Sequence, residues 1–397
     1  KYSAMKYNFD EIVPRKGTNS VKWDSRGYDD VIPMWVADMD FETAPAVKEA
    51  VIKRAGHGAF GYTHVPDEYY ASVIRWFGRR HGFKIEKEWI LYIPGIVPAL
   101  SAIVKAMTVP CDKVIIQTPV YNCFFSSIRN NGCEILPNPL VYKDNTYSID
   151  FDDLERKAAD PAAKVMILCN PHNPAGRVWT REELSRIGDI CLMNNVFVLA
   201  DEIHCELTYP GRDYTPFASL SDEFRMNCAV CSSPSKAFNI AGLQISNIVC
   251  ADPVARAKID RAINVNEVCD VNPFGVLALM AAYDEGEEWL DELRAYIYEN
   301  YLIFKDFFEK KLPDFPVLPL EGTYLAWVNC SILGTGSQEI EDRLIDENKV
   351  WVNAGVHYGP DGDSFVRVNL ACPRSILLEG LDRLYKGFTA MKQESRA

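Results

Sequence analysis

The chain has 397 residues, which at roughly 150 residues per domain suggests two or three domains and a sizeable core. Hydrophobic residues make up 48% and charged residues 24%, average for soluble domains, which excludes disorder, collagen and coiled-coil arrays as descriptions of the whole. A net charge of -13 repels phosphate backbones and anionic lipid, so nucleic acid and membrane surfaces are excluded as partners, leaving small molecules or other proteins.

The first residues carry Lys1, Lys6, Asp10 and Glu11 without an apolar run between them, so no signal peptide is expected. The opening segment is rich in Asp, Pro and aromatics and shows little periodicity. It is expected to pack on the folded domains, the small one in particular. From about residue 89 to residue 252, short apolar runs alternate with amphipathic segments, the pattern of βα units and a largely parallel sheet. Val114–Gln117, Val165–Cys169, Val196–Ala200, Ala229–Cys231 and Asn247–Cys250 read as strands, nearly uniformly apolar as strands covered on both faces must be. Thr180, with Glu183 three residues on, opens a helix through a capping box.

The longest apolar stretch, Phe274 to Tyr283, falls short of the ~20 residues of a membrane span. A charged amphipathic helix follows from Glu287 to Leu312, closed by Pro313 and Pro316. Tyr324–Val328, Val350–Val352 and Phe365–Asn369 then alternate as half-buried strands, with Ser337 to Asn348 and Ser375 to Lys392 as helices. The expected fold is α/β: a large domain with a mostly parallel sheet flanked by helices, plus a smaller α+β domain. Its boundaries are read as an N-terminal segment 1–48, a large domain 49–284 and a small domain 285–397.

Twelve cysteines lie scattered through apolar runs, the usage of small buried thiols in a reducing cytoplasm. Cys228 and Cys231 lie in an apparent strand, where positions three apart face opposite ways. That spacing argues against a redox or zinc site, and no second pair completes one. His57, His64, His81 and His357 lack metal-ligand spacing, so no metal site is expected.

The chemistry concentrates where strands end. In Ser232-Ser-Pro-Ser-Lys-Ala-Phe-Asn-Ile-Ala-Gly242 a lysine sits among hydroxyl residues just after a strand, and ligands of open α/β sheets lie outside the carboxyl ends of strands. In Val198-Leu-Ala-Asp-Glu-Ile-His204 a carboxylate follows a buried strand, an expensive position unless a cation is its partner. Cys169-Asn-Pro-His-Asn-Pro-Ala-Gly176 holds an amide side chain on a tight loop. Tyr92-Ile-Pro-Gly-Ile-Val-Pro-Ala-Leu100 places a glycine turn before a helix whose free N–H groups form an anion site. Gln117-Thr-Pro-Val-Tyr121 ends a strand in an aromatic ring. A phosphate, a flat ring, a phenolate oxygen, a basic ring nitrogen and an aldehyde satisfy all five, and together they make pyridoxal phosphate.

The ordered set Gly95, Tyr121, Asn173, Asp201, Lys236 and Arg367 resembles the fold-type I pyridoxal phosphate enzymes of the class I/II aminotransferase family. The resemblance implies that Lys236 is the Schiff-base lysine and that Asp201 keeps the pyridine nitrogen protonated. It implies further that Tyr121 stacks on the ring and that Asn173 donates to its phenolate oxygen. The main-chain N–H groups of Ile96 and Val97, with Ser233 and Ser235, would form the phosphate cup, and Arg367 would fork onto the substrate α-carboxylate. The family site lies at a dimer interface, so a homodimer is implied, with Tyr62 reaching the neighbouring subunit's phosphate.

Two positions depart from the commonest aminotransferase pattern: His204 stands where a tyrosine often follows the aspartate, and Gln244 where an arginine often neutralises the phosphate. Both, together with Pro33-Met-Trp-Val-Ala-Asp-Met-Asp-Phe41 and Gly322-Thr-Tyr-Leu-Ala-Trp327, resemble the bacterial cystathionine β-lyase and cysteine-sulfur lyase branch. The implied reaction is α,β-elimination of cystathionine or a cysteine-type substrate to a thiol (homocysteine or hydrogen sulfide), pyruvate and ammonia. Freed Lys236 would be the general base, and either Lys236 or Tyr121 would protonate the leaving sulfur. Two alternatives are an aminotransferase of the same fold and a non-catalytic regulatory protein retaining it. Trp35 and Trp327 read as core aromatics, His172 as a cap of its loop, and Asp38 and Asp40 as residues solvating a turn.

Overall fold

The computed structural model describes residues 5–25 and 30–395. Seven strands form one sheet, in spatial order Ile90–Ile93, Ser246–Val249, Cys228–Ser232, Phe197–Asp201, Ala163–Cys169, Lys113–Ile116 and Glu134–Pro137. The last five pair in parallel. Ser246–Val249 runs antiparallel to both of its neighbours, so the strand expected over Asn247–Cys250 exists but reverses the sheet's direction there.

Side chains alternate across this sheet into two apolar layers. Ile115, Met166, Leu168, Val198 and Val230 enter one buried cluster, and Val114, Val165, Ile167, Leu199 and Ala229 the other. Both faces are therefore dry, which is why these strands are uniformly apolar. Cys228 and Cys231 fall in different clusters, on opposite faces as the strand period requires. All twelve cysteines are free, and nine are buried.

The helix Arg181–Met193 begins with the capping box expected of Thr180 and Glu183, each side chain bonded to the other's backbone N–H. The apolar stretch forms Pro273–Glu285, and the charged helix runs Glu287–Lys311. Among the described residues, no helix is long and apolar enough to cross a membrane.

Beyond it, Leu325–Asn329, Phe365–Asn369 and Asn353–Ala354 make an antiparallel three-stranded sheet, packed with the helices Ser337–Asn348 and Arg374–Glu394. Val350–Trp351 does not join it. That pair of residues runs parallel to Ile32–Pro33 of the opening segment, and Trp35 stacks on Trp351 with centroids 4.2 Å apart. The same opening segment sends Phe9 against Trp289 and Tyr296, and its Met39 and Phe41 carbonyls accept hydrogen bonds from Asn239 in the loop after Cys228–Ser232.

Candidate active site

The carboxyl ends of the sheet strands converge on one cavity of about 410 Å³. Asp201 is the last residue of its strand and lies in register with Cys169 on one side and Cys231 on the other. Lys236 follows the end of Cys228–Ser232 by four residues, Tyr121 lies just past the end of Lys113–Ile116, and Asn173 lies just past Cys169. Gly95 caps the helix Ile96–Met107, whose first N–H groups have no partner within the helix. Pro98 has no N–H, so Ile96 and Val97 supply the free donors. Arg367 comes from the middle of Phe365–Asn369 in the other sheet and crosses to Asn173, donating from Nη1 to Asn173 Oδ1 at 3.1 Å. Nη2 donates to the Trp35 carbonyl at 2.6 Å, and the guanidinium lies 5.1 Å from the Tyr358 ring centre.

Of the residues expected in the site, Ile96, Val97, Tyr121, Asn173, Asp201, His204, Ser235, Lys236 and Arg367 all line this cavity. Ser233 does not: its hydroxyl donates to the Ile245 carbonyl and accepts from the Ser235 N–H at 3.0 Å, one layer behind the wall. Tyr62 is fully exposed and lies outside the cavity. Trp35, expected in the core, is instead part of the cavity wall, whereas Trp327 is buried and stacked on Phe365. Asp38 and Asp40 do not solvate a turn, for Asp40 is buried against Lys22 and Arg15. Asn353, Tyr358, Val36 and Ala37 also line the wall; no local signal marks the first two, and the Pro33–Phe41 motif contains the last two. His172 is buried, with Nε2 3.3 Å from the Gln117 carbonyl, and burial brings its pKa down to about 4.

The electrostatics follow from burial. Asp201 is 3% exposed, and desolvation pushes its pKa from 3.8 up to about 7, against the pull of the Ile203 N–H and of Lys236. Glu202 is pushed up to about 8, again first by burial, and Tyr214 and the Phe217 N–H oppose the shift. Burial and then Arg367 bring Lys236 down to about 8, while Asp38, Asp201 and Cys123 hold it up. Its Nζ donates to the Ala37 carbonyl at 2.6 Å. Tyr121 is raised by burial and by the Cys123 thiol, so it stays a neutral phenol. His204 is lowered by burial, Lys236 and Arg367, so it stays a neutral imidazole, and its buried Nδ1 lacks a protein partner.

These shifts give a signed prediction. A carboxyl whose folded pKa lies above its unfolded value contributes stability that is complete below the unfolded pKa and is lost as pH rises through the folded one. Asp201 therefore costs the cofactor-free chain stability as pH climbs from about 4 to about 7. Urea unfolding of cofactor-free Asp201→Asn should show a stability that falls less steeply with pH across that window than the wild type. His172 acts with the opposite sign in both proteins and cancels in the difference. An equal or steeper fall in the variant contradicts the assignment.

A second cluster lies on the far side of the Asp201 loop, where His81, Cys205 and Glu206 bring ligand atoms within 4.8 Å of one another. Glu206 already accepts from Trp76 at 2.7 Å, His81 at 2.6 Å and Arg80 at 3.3 Å. The 2.6 Å His81–Glu206 separation is that of a hydrogen bond rather than of two ligands spread around an ion.

The donor set of the main cavity fits pyridoxal phosphate. It offers free helix N–H groups to an anion, a buried carboxylate with one internal donor to a ring N–H, an aromatic face, and an amine to an aldehyde. The unpartnered Nε of buried Arg367 adds a donor for a carboxylate.

Known proteins agree with this geometry. The cystathionine β-lyase PatB of Bacillus subtilis is 44% identical over 381 residues, covering 95% of this chain and 98% of that protein. Cystalysin of Treponema denticola, whose crystal structure contains a pyridoxal 5'-phosphate cofactor, superposes with a TM-score of 0.94 at 36% identity, covering 98% of this chain and 100% of that one. The pyridoxal-phosphate-bound C-S lyase of Staphylococcus hominis matches with a TM-score of 0.90 at 34% identity, over 96% of this chain and 99% of that one. A family model described as aminotransferase class I and II matches residues 29–384, a span that contains every residue of the cavity wall, and the chain belongs to that family.

Proposed function

We propose that the protein is a pyridoxal phosphate-dependent carbon–sulfur β-lyase. Cystathionine and water would give homocysteine, pyruvate and ammonia, and cysteine would give hydrogen sulfide in place of homocysteine. The observation that carries this reading is the gathering of Lys236, Asp201 and Arg367 around one cavity. The whole-chain likeness to a cystathionine β-lyase favours elimination over amino transfer.

The N–H groups of Ile96 and Val97, with the Ser235 hydroxyl, would hold the cofactor's phosphate. Asp201 would pair with its ring nitrogen, Tyr121 would cover its ring, Asn173 and His204 would bind its ring oxygen, and Lys236 would be the lysine to which it is joined. When bound, pyridoxal phosphate supplies the electron sink for charge left at the substrate's α-carbon. Arg367 binds the substrate α-carboxylate, its plane fixed by Asn173 and the Trp35 carbonyl, so the α-hydrogen is presented in one orientation. Lys236, with its pKa brought to about 8, exists in part as a free amine near neutral pH and takes the α-proton. Its ammonium and the neutral Tyr121 phenol are the two proton donors at hand for the departing thiolate.

We read the active unit as a homodimer, with exposed Tyr62 of one subunit completing the neighbour's phosphate site. The compartment is taken as the cytoplasm, on the strength of twelve free thiols. The chain is divided into an N-terminal segment, a large domain and a small domain at residues 48 and 284. The test is to supply cystathionine with no 2-oxo acid present and to assay pyruvate and free thiol. Sustained, stoichiometric release of both is expected. Conversion of cystathionine to its own 2-oxo acid, with no thiol or pyruvate released and continued turnover only when a second 2-oxo acid is added, would make the protein an aminotransferase.

A further inference from the structure

The segment Trp35 to Met39 passes over the cavity with all five carbonyls taken by side-chain donors. The Trp35 carbonyl accepts from Arg367 at 2.6 Å. The Ala37 carbonyl accepts from Lys236 Nζ at 2.6 Å and from the Tyr324 hydroxyl at 2.8 Å. Asn369 Nδ2 serves the Val36 and Asp38 carbonyls, each at 2.6 Å. Arg15 and Asn239 donate to the Met39 carbonyl at 2.9 and 3.0 Å. Buried carbonyls normally find their partners within secondary structure; here side chains from distant parts of the chain hold the segment instead.

On the other side of the segment lies an ion cage. Lys22 Nζ reaches Asp40 Oδ2 at 2.7 Å and Asp38 Oδ1 at 3.7 Å. Arg15 reaches Asp38 Oδ2 at 2.7 Å and Asp40 Oδ1 at 3.0 Å, and Trp23 Nε1 donates to Asp40 at 2.8 Å. Lys22 and Asp40 are each 2% exposed, a burial that charges tolerate only when paired and hydrogen-bonded. Two cations face two carboxylates, so the cage is neutral overall and serves as a fixture more than as a source of field.

We infer that this buried cage of Arg15, Lys22, Asp38 and Asp40 is a positioning device for Lys236: it fixes the Ala37 carbonyl as the acceptor that holds the lysine amine in the cavity. Whenever the amine is not joined to the cofactor, or is protonated, that carbonyl would receive it. The inference builds on Lys236 as the base of the proposed reaction, but it is tested on the amine itself and not on turnover, so it fails separately from the lyase reading.

A carbonyl acceptor favours the ammonium over the neutral amine, so losing it lowers the amine's pKa. The other groups acting on Lys236 are Arg367, Asp38, Asp201 and Cys123. Lys22→Met removes a positive charge and Asp40→Asn a negative one, so a field effect alone shifts the amine in opposite directions. Displacement of the carbonyl shifts it down in both.

The test acetylates the full-length, cofactor-free protein with N-hydroxysuccinimidyl acetate over a range of pH and quantifies the Lys236 peptide by mass spectrometry. The midpoint of the profile gives the pKa, and its alkaline plateau gives access. Both variants should lower the midpoint by about half to one unit, which is about three- to fivefold faster labelling at neutral pH. Lys48→Met, which breaks only the exposed pair with Glu42, should leave it unchanged. Midpoints that move in opposite directions, or that stay at the wild-type value in folded variants, overturn the inference. If the charge variants do not fold, Asn239→Ala loosens the segment without a charge change, and an unmoved midpoint there overturns it equally.

Discussion

Replacing Lys236 by alanine lowers pyruvate release from cystathionine by about 10³-fold or more, with the far-ultraviolet circular dichroism of the wild type retained. General-base catalysis alone is worth about 10² to 10⁴, and the variant also loses the amine that carries the cofactor. The fold is expected to survive because, among the described residues, Nζ makes a single hydrogen bond, to the Ala37 carbonyl, and that carbonyl keeps the Tyr324 hydroxyl. Burial, moreover, disfavours this ammonium, so its removal deletes a poorly solvated charge without breaking an ion pair. Wild-type pyruvate release by the variant would show that another group removes the proton.

The second large effect belongs to Arg367. The guanidinium is 3% exposed, and truncating one partner of a buried charged pair costs about 2 to 5 kcal/mol, or about 30- to several thousand-fold in kcat/KM. Arg367→Ala should lose that much with cystathionine, and Arg367→Lys should recover only part of it, since an ammonium cannot span Asn173, the Trp35 carbonyl and a carboxylate in one plane. Steady-state kinetics on the folded variants measures this; kcat/KM within threefold of wild type for Arg367→Ala would remove Arg367 from substrate binding.

What the sequence made legible was what local rules govern. Val165–Cys169 and Val196–Ala200 stand out because both faces of those strands are covered, so every position is apolar. Thr180 and Glu183 declare a helix start because both partners lie within one turn. The edge strands Ile90–Ile93 and Glu134–Pro137 carry half-exposed positions, and the second contains a proline, so neither has the same signature. Lys236, Asp201 and Asn173 are readable because each lies at the end of a readable strand or within four residues of it.

Asp38 and Asp40 read differently in the sequence because their burial depends on Arg15, on irregular chain, and on Lys22, in the four-residue helix Val21–Asp24, cations at no periodic spacing from them. Trp35 was placed in the core, yet it reaches the cavity because Ile32–Pro33 pairs with Val350–Trp351, a long-range parallel contact that no local pattern encodes. Ser233 and Ser235 are equivalent in sequence, two hydroxyls flanking a proline. Only the fold shows that Ser233 spends its hydroxyl on the Ile245 carbonyl while Ser235 faces the cavity.

The most direct test of the account is chemical. The protein is incubated with pyridoxal phosphate, treated with borohydride to fix the covalent link, digested and mapped by mass spectrometry. The account predicts one modified peptide, carrying the reduced cofactor on Lys236; modification of a different lysine, or none at all, contradicts it.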